Sequence, residues 1–198
     1  SLGHGGFDTI CGTSGRNSFT VWHMTKGKVS FRRPSADEQT VLRQMQVKLL
    51  VRPKDIKACD QILVAHHYLH SARLVGEHLR YAVVWQGRWL AVAAWSAPAL
   101  HLKARDAFIG WSEAQRRERL PLVVNNSRLY VLPESHYPNL VSRFMKLMLG
   151  RLSADWQSVW QHPVALAESF VDRNLYRGTA YQVSGCSQLG YTRGWKRS

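Results

Sequence analysis

The sequence predicts a mixed α/β (α+β) domain, with a mostly antiparallel central sheet flanked by helices. Three observations point there. The chain of 198 residues is 45% hydrophobic and carries eight Trp, seven Tyr and six Phe, enough apolar material for one core without disulfide staples. From residue 45 onward, two-residue and 3.6-residue periodicities follow one another. A hairpin signal stands in the middle, where Leu79–Trp85 and Trp89–Trp95 flank Gln86-Gly87.

The elements follow in order. Residues 1–40 are rich in Gly, Ser, Thr and Lys and lack a sustained period, so they read as an arm or extension, irregular or weakly stranded, ahead of one domain over 41–198. Val47–Val51 reads as a strand bounded by Pro53, and Asp55 as the cap of a helix carrying Ile56, Cys59, Ile62 and Leu63. After the hairpin, Ser112–Leu120 has helical propensity, and Leu122–Val124 and Arg128–Leu132 read as two short strands. From Asn139, the residues Leu140, Phe144, Leu147, Met148 and Leu152 mark one helix face, with Arg143, Lys146 and Arg151 mostly off it. Val164–Asp172 reads as a further strand, followed by a Gly- and Arg-punctuated end.

Charge narrows the class of partner. Lys and Arg number 27 against 13 Asp and Glu, a net +14, of which +12 lies in residues 41–198. A folded body this basic suits a polyanion, DNA or RNA above all. Cys11, Cys59 and Cys186 form no CxxC pair and read as reduced thiols. No run has the apolar length of a membrane span and no signal-peptide pattern opens the chain, so a cytoplasmic protein with no membrane partner is expected.

Several residue groups carry possible chemistry. Glu168 and Asp172, four apart, would share a strand face, and paired carboxylates can hold Mg²⁺ or act as a general base. Asp106 beside Arg105 is a third candidate catalytic acid, as a base or metal ligand, while the pair could fix a loop or grip a phosphate, which makes Arg105 an expected nucleic-acid contact. Trp111 suits stacking on a base or packing in the core. Asn126 and Arg128, in Asn125-Asn126-Ser127-Arg128, could address a base edge or phosphate, or the Asn pair could form a turn. Arg116, Arg117, Arg119, Arg143, Lys146 and, near the end, Thr192 and Arg193 are the expected phosphate contacts. His66, His67 and His70 invite a metal reading, but the spacing lacks a zinc-protease glutamate, so helix-end packing is preferred and no metal site is assigned.

The element order resembles the acetyltransferase-like fold of the GNAT superfamily over about residues 47–192, with Arg128–Glu134 similar to its fourth strand. Five motifs give a narrower resemblance: His67-Tyr68-Leu69; Arg105-Asp106 with Ile109-Gly110-Trp111; Asn125–Arg128; Glu168–Asp172; and Gly178-Thr179-Ala180-Tyr181 with Gly190–Gly194. Together they resemble the DruA-like family of Druantia anti-phage defence, also found near or fused to transposases. The last segments resemble Mom-type DNA-modification acyltransferases as well, which adds Tyr181 to the residues expected at a nucleic-acid site. Leu129, Ser169, Ala180 and Cys186 depart from the family's Phe, Thr, Cys and Trp.

The resemblance implies a nucleic-acid-binding defence or mobile-element protein working beside a helicase or transposase. A nucleobase or amine N-acyltransferase and a metal-dependent nuclease are the alternatives, and the cofactor is left open. Working acetyltransferases cradle pyrophosphate in a Gly-rich turn before a helix. Ser135–Arg143 has no Gly and contains Pro138, which lacks an N–H, so the expectation is a borrowed fold rather than a working acetyltransferase.

Overall fold

A computed structural model describes residues 9–14, 32–172 and 176–192, the backbone alone for 9–14, 191 and 192. The first strand, β1 (Thr9–Ser14), is followed by α1 (Ala36–Gln44), which Ser35 opens with a capping box closed by Glu38. Residue 40 therefore lies inside a helix. After β2 (Gln46–Leu49), α2 (Pro53–His66) starts with Pro53 in its first turn and no side-chain cap. Asp55, expected as the cap, instead accepts a 2.6 Å hydrogen bond from Arg52 Nε one turn in.

The hairpin forms as expected from β3 (His78–Trp85) and β4 (Arg88–Ser96). Gln86 and Gly87 both take positive φ, 47° and 77°, which matches the twist of a two-residue turn. Two short helices follow, α3 (Lys103–Ile109) and α4 (Glu113–Arg119), the second capped by Ser112. The stretch expected to give two short strands is one, β5 (Val123–Val131), with the Asn pair inside it. The chain ends with α5 (Leu140–Trp160), β6 (Leu166–Phe170), α6 (Thr179–Val183) and β7 (Cys186–Thr192).

The seven strands form one sheet in the order β2-β3-β4-β5-β6-β1-β7. From β2 to β6, three of the four pairings are antiparallel, in line with the expected mixed α/β class. β1 then lies between β6 and β7, parallel to both.

One face of the sheet is covered by α1 and α5. Leu140, Phe144, Met145, Met148, Leu152 and Trp156 of α5 are buried with Tyr81, Ala93, Trp95 and Val124. Leu147, expected on this face, is 37% exposed, and Met145 packs in its place. Arg151 joins Asp155 and donates to the Val47 carbonyl, while the Tyr81 hydroxyl donates to Asp155, so charge seals the helix against β2 and β3. On the other face, Cys59 and Leu63 of α2 pack on Ala82, Val84, Val92 and Ala94, and Trp111 packs with Val123 and Leu166. Cys59 and Cys186 are free and buried, and burial pushes both thiols up to about 12. Among the described residues no helix is long and apolar enough to cross a membrane.

Candidate functional site

The sheet splits along one seam. β5 and β6 pair in parallel from Val123 opposite Leu166 to Asn126 opposite Ser169. Beyond that point β5 runs on to Val131, still paired with β4, while β6 ends at Phe170. Among the described residues, 127–131 thus have a strand neighbour on one side only. The register between β4 and β5 shifts at the same place, with Ala94 opposite Arg128 and Trp95 opposite Asn126, so Ser127 is the extra residue of a β-bulge. A bulge bends its strand and raises the local twist, which carries β5 away from β6. Ser127 is held there by Ser96 and by the Asn125 amide.

A cavity of about 400 Å³ fills the opening. Because strand side chains alternate, the cavity reaches both faces of the sheet. Arg128 and Tyr130 stand on the α2 face, where Arg128 Nε donates to the Ser71 carbonyl and Tyr130 stacks on His66. Leu129 and Val131 pack toward α5. The opening lies at the carboxyl ends of two parallel strands, the usual ligand position in open α/β sheets.

Its walls combine aromatic rings with oriented polar groups. His67 ends α2 and is 4% exposed, and its Nδ1 accepts the Leu69 N–H at 3.2 Å, which leaves the proton on Nε2. Burial, then the nearby Arg128 and His70, lowers its pKa to about 4, so the ring is neutral at pH 7. Tyr68, whose ring centroid lies 4.5 Å from that of His67, has its phenol pushed up by burial and then by Asp172. Across the opening, the Tyr181 hydroxyl of α6 donates to Asn126 Oδ1 at 2.7 Å, and Asn126 Nδ2 donates to the Ala94 and Arg128 carbonyls. Gly178, at φ 72°, makes the turn that sets α6 against the cavity, with Arg177 exposed just before it. On the α5 side, a second hollow shares Val131, His136, Val141, Thr179 and Ala180 with the cavity and continues past Pro138 and Asn139 to the first turn of α5.

A separate charge cluster sits nearby, on the face of the sheet shared with α2. Glu168 Oε2 accepts from Arg105 at 3.0 Å, and Oε1 accepts the Ala99 N–H at 2.9 Å. Arg105 also donates to the Ala99 carbonyl and to Asp106 Oδ1, which accepts from Trp111 Nε1 as well. The Arg105 and Glu168 side chains are wholly buried. Burial pushes the Glu168 carboxyl up, and Arg105 and the Ala99 N–H oppose that shift. The cluster ties the loop after β4 and the start of α3 to β6.

A family model described as Druantia protein DruA matches residues 16–197. The chain belongs to the DruA family. It is therefore a component of Druantia anti-phage defence, and no curated protein matches it.

In this DruA-family structure all the sequence-expected site residues but Thr192 and Arg193 fall into three groups. Asn126, Arg128, Asp172 and Tyr181 line the cavity, Asp172 lying beyond the end of β6 rather than on it. Glu168, Asp106, Arg105 and Trp111 form the buried cluster, and Arg116 joins it through Asp106, the Leu100 carbonyl and His101. Glu168 and Asp172 thus have different surroundings. Arg117, Arg119, Arg143 and Lys146 are exposed on α4 and α5, and Arg117 pairs with Glu113. Thr192 closes β7 opposite Ser14, and Arg193 lies outside the described residues. Among the described residues, His66, His67 and His70 belong to no cluster of three side chains able to hold a metal.

Sequence reasoning missed Tyr176, Arg177 and His136. The one signal for the first two was Tyr176-Arg177-Gly178, an aromatic and a cation before a turn glycine.

Proposed function

We propose that this Druantia component acts by binding nucleic acid through its cationic surface, with little dependence on base sequence. The observation that carries this reading is the disposition of charge. The chain is +14, and among the described residues Arg119, Arg143, Lys146 and Arg177 are exposed and form no ion pair. Unpaired exposed cations serve neither the core nor the ion-pair network, and phosphates are the ligand that repays them. Arg105 and Arg128 contribute differently, since their guanidinium groups are engaged by protein carbonyls and carboxylates.

The test is affinity for labelled DNA and RNA across a range of ionic strength. Log affinity should fall linearly with log salt, and each Ala substitution at Arg143, Lys146 or Arg177 that removes a phosphate contact should lower the slope by roughly 0.9 on a duplex. Binding that ignores salt, or no binding, overturns the reading.

N-acyl transfer to a base or amine is a second reading, and the split sheet favours it. The β5–β6 pairing stops at Asn126 and Ser169, which opens the seam to an extended ligand, and the hollow running to the start of α5 gives a second entrance. Pro138 still weakens any phosphate cradle there. Calorimetry with acetyl-CoA tests it. A metal-dependent nuclease has the least support, because Asp106 and Glu168 both engage Arg105. Other Druantia proteins are the expected partners, with a helicase or transposase as the finer proposal, tested by co-purification.

A further inference from the structure

We propose that the split-sheet cavity receives a single unstacked nucleobase through its α2-side mouth, an inference that rests on the nucleic-acid reading and names the part of the ligand it takes. Four observations converge on it. The first is an uncommitted donor at the cavity wall. His67 is more than nine-tenths buried, its Nδ1 is taken by Leu69, and no hydrogen bond within the described residues uses Nε2–H. That N–H keeps solvent contact, and His67 lines the cavity, so a ring nitrogen or carbonyl on a base edge can accept from it.

The second is the aromatic wall. Tyr68 lies against His67 and faces Tyr176 at 6.1 Å between ring centroids. Such faces stack on any base, which agrees with binding that is indifferent to sequence. The third is rigidity: Asn126 is fixed by Tyr181 and two backbone carbonyls, so the floor of the cavity is preorganised. The fourth is the position of Arg177, exposed at the rim, where the phosphate of an everted nucleotide would lie. At about 400 Å³ the space falls within the range of small-ligand sites.

The experiment compares a fully paired duplex with one holding a single central mismatch, whose bases cost less to unstack. The protein should bind the mismatched duplex roughly tenfold more tightly. His67→Phe and Tyr68→Ala should erase that preference while leaving affinity for the paired duplex and its salt slope unchanged. Because the wild-type preference is itself a result, a variant that fails to fold does not block the test. Equal affinity for both duplexes with salt-dependent binding retained overturns the base pocket and leaves the nucleic-acid reading intact. Absence of any DNA binding overturns both. Acetyl-CoA binding that His67→Phe weakens, with no mismatch preference, assigns the cavity to a thioester and also overturns the proposal.

Discussion

Glu168 meets Arg105 and the Ala99 N–H in a space closed to solvent, and that closure decides what substitution there should do. Removing one member of a buried ion pair strands the other charge, at a cost of about 3–5 kcal/mol. Glu168→Leu and Arg105→Met should each lose about that much in urea unfolding, whereas the double substitution should lose clearly less than the sum of the two. A Glu168→Leu variant that unfolds at the wild-type urea concentration would remove the cluster's structural role.

His67 offers a pH prediction. Its pKa is lowered from the ordinary 6.5 to about 4, so between those values the unfolded chain binds a proton that the folded chain refuses. The stability it contributes is complete above pH 6.5 and is lost as pH falls toward 4, with a slope of up to about 1.4 kcal/mol per pH unit. His67→Gln should flatten the wild-type curve across that window, read from melting temperature against pH.

The residue types of these two sites were visible in sequence, but their roles were not. Arg105-Asp106 and Glu168 are 63 residues apart, and only folding tells a sealed ion pair from a catalytic acid.

At the scale of elements, the bulge at Ser127 is the hinge of the site. Deleting Ser127 would leave Asn126 and Arg128 consecutive opposite Trp95 and Ala94, so β4 and β5 could pair without a shift. The bend would relax and the seam beside β6 would narrow. The deletion should keep the circular dichroism of the folded protein and abolish the preference for a mismatched duplex, as measured by anisotropy. Retention of the preference would separate the cavity from the bulge.

The hairpin, α4 and α5 were legible because each is specified locally, by a turn dipeptide, a serine cap and a 3.6-residue stripe. β5 was read as two strands because Asn125 and Asn126 have poor strand propensity, while their positions are set by β4 and β6. β1 was covered only by the reading of residues 1–40 as irregular or weakly stranded, and its bounds were not placed for a related reason. Thr-Ile-Cys-Gly-Thr-Ser carries little alternation, and its parallel partners lie more than 150 residues away in sequence.

For the whole molecule, that distant pairing changes what an N-terminal truncation should reveal. If residues 1–40 were only a docking arm, their removal would cost partner binding and leave the domain intact. Yet among the described residues β1 is the one strand that β7 pairs with, and it separates β7 from β6. Its loss would free both edges, and α6, which joins β6 to β7 and carries Tyr181, would lose its anchor at one end. A chain starting at residue 15 should therefore show faster amide exchange along β6 and β7 and weaker discrimination at the cavity. The hairpin and the later turns of α5 should stay protected, because they hold to β2 and β3 through Arg151, Asp155 and Tyr81. The first turn of α5, where the Ser142 carbonyl accepts from Ser184, should loosen with α6. Salt-dependent binding through Arg119, Arg143 and Lys146 should persist, since those side chains stand on α4 and α5. Unchanged exchange at β7 would mean that β7 re-pairs with β6 directly, a parallel register their common direction allows.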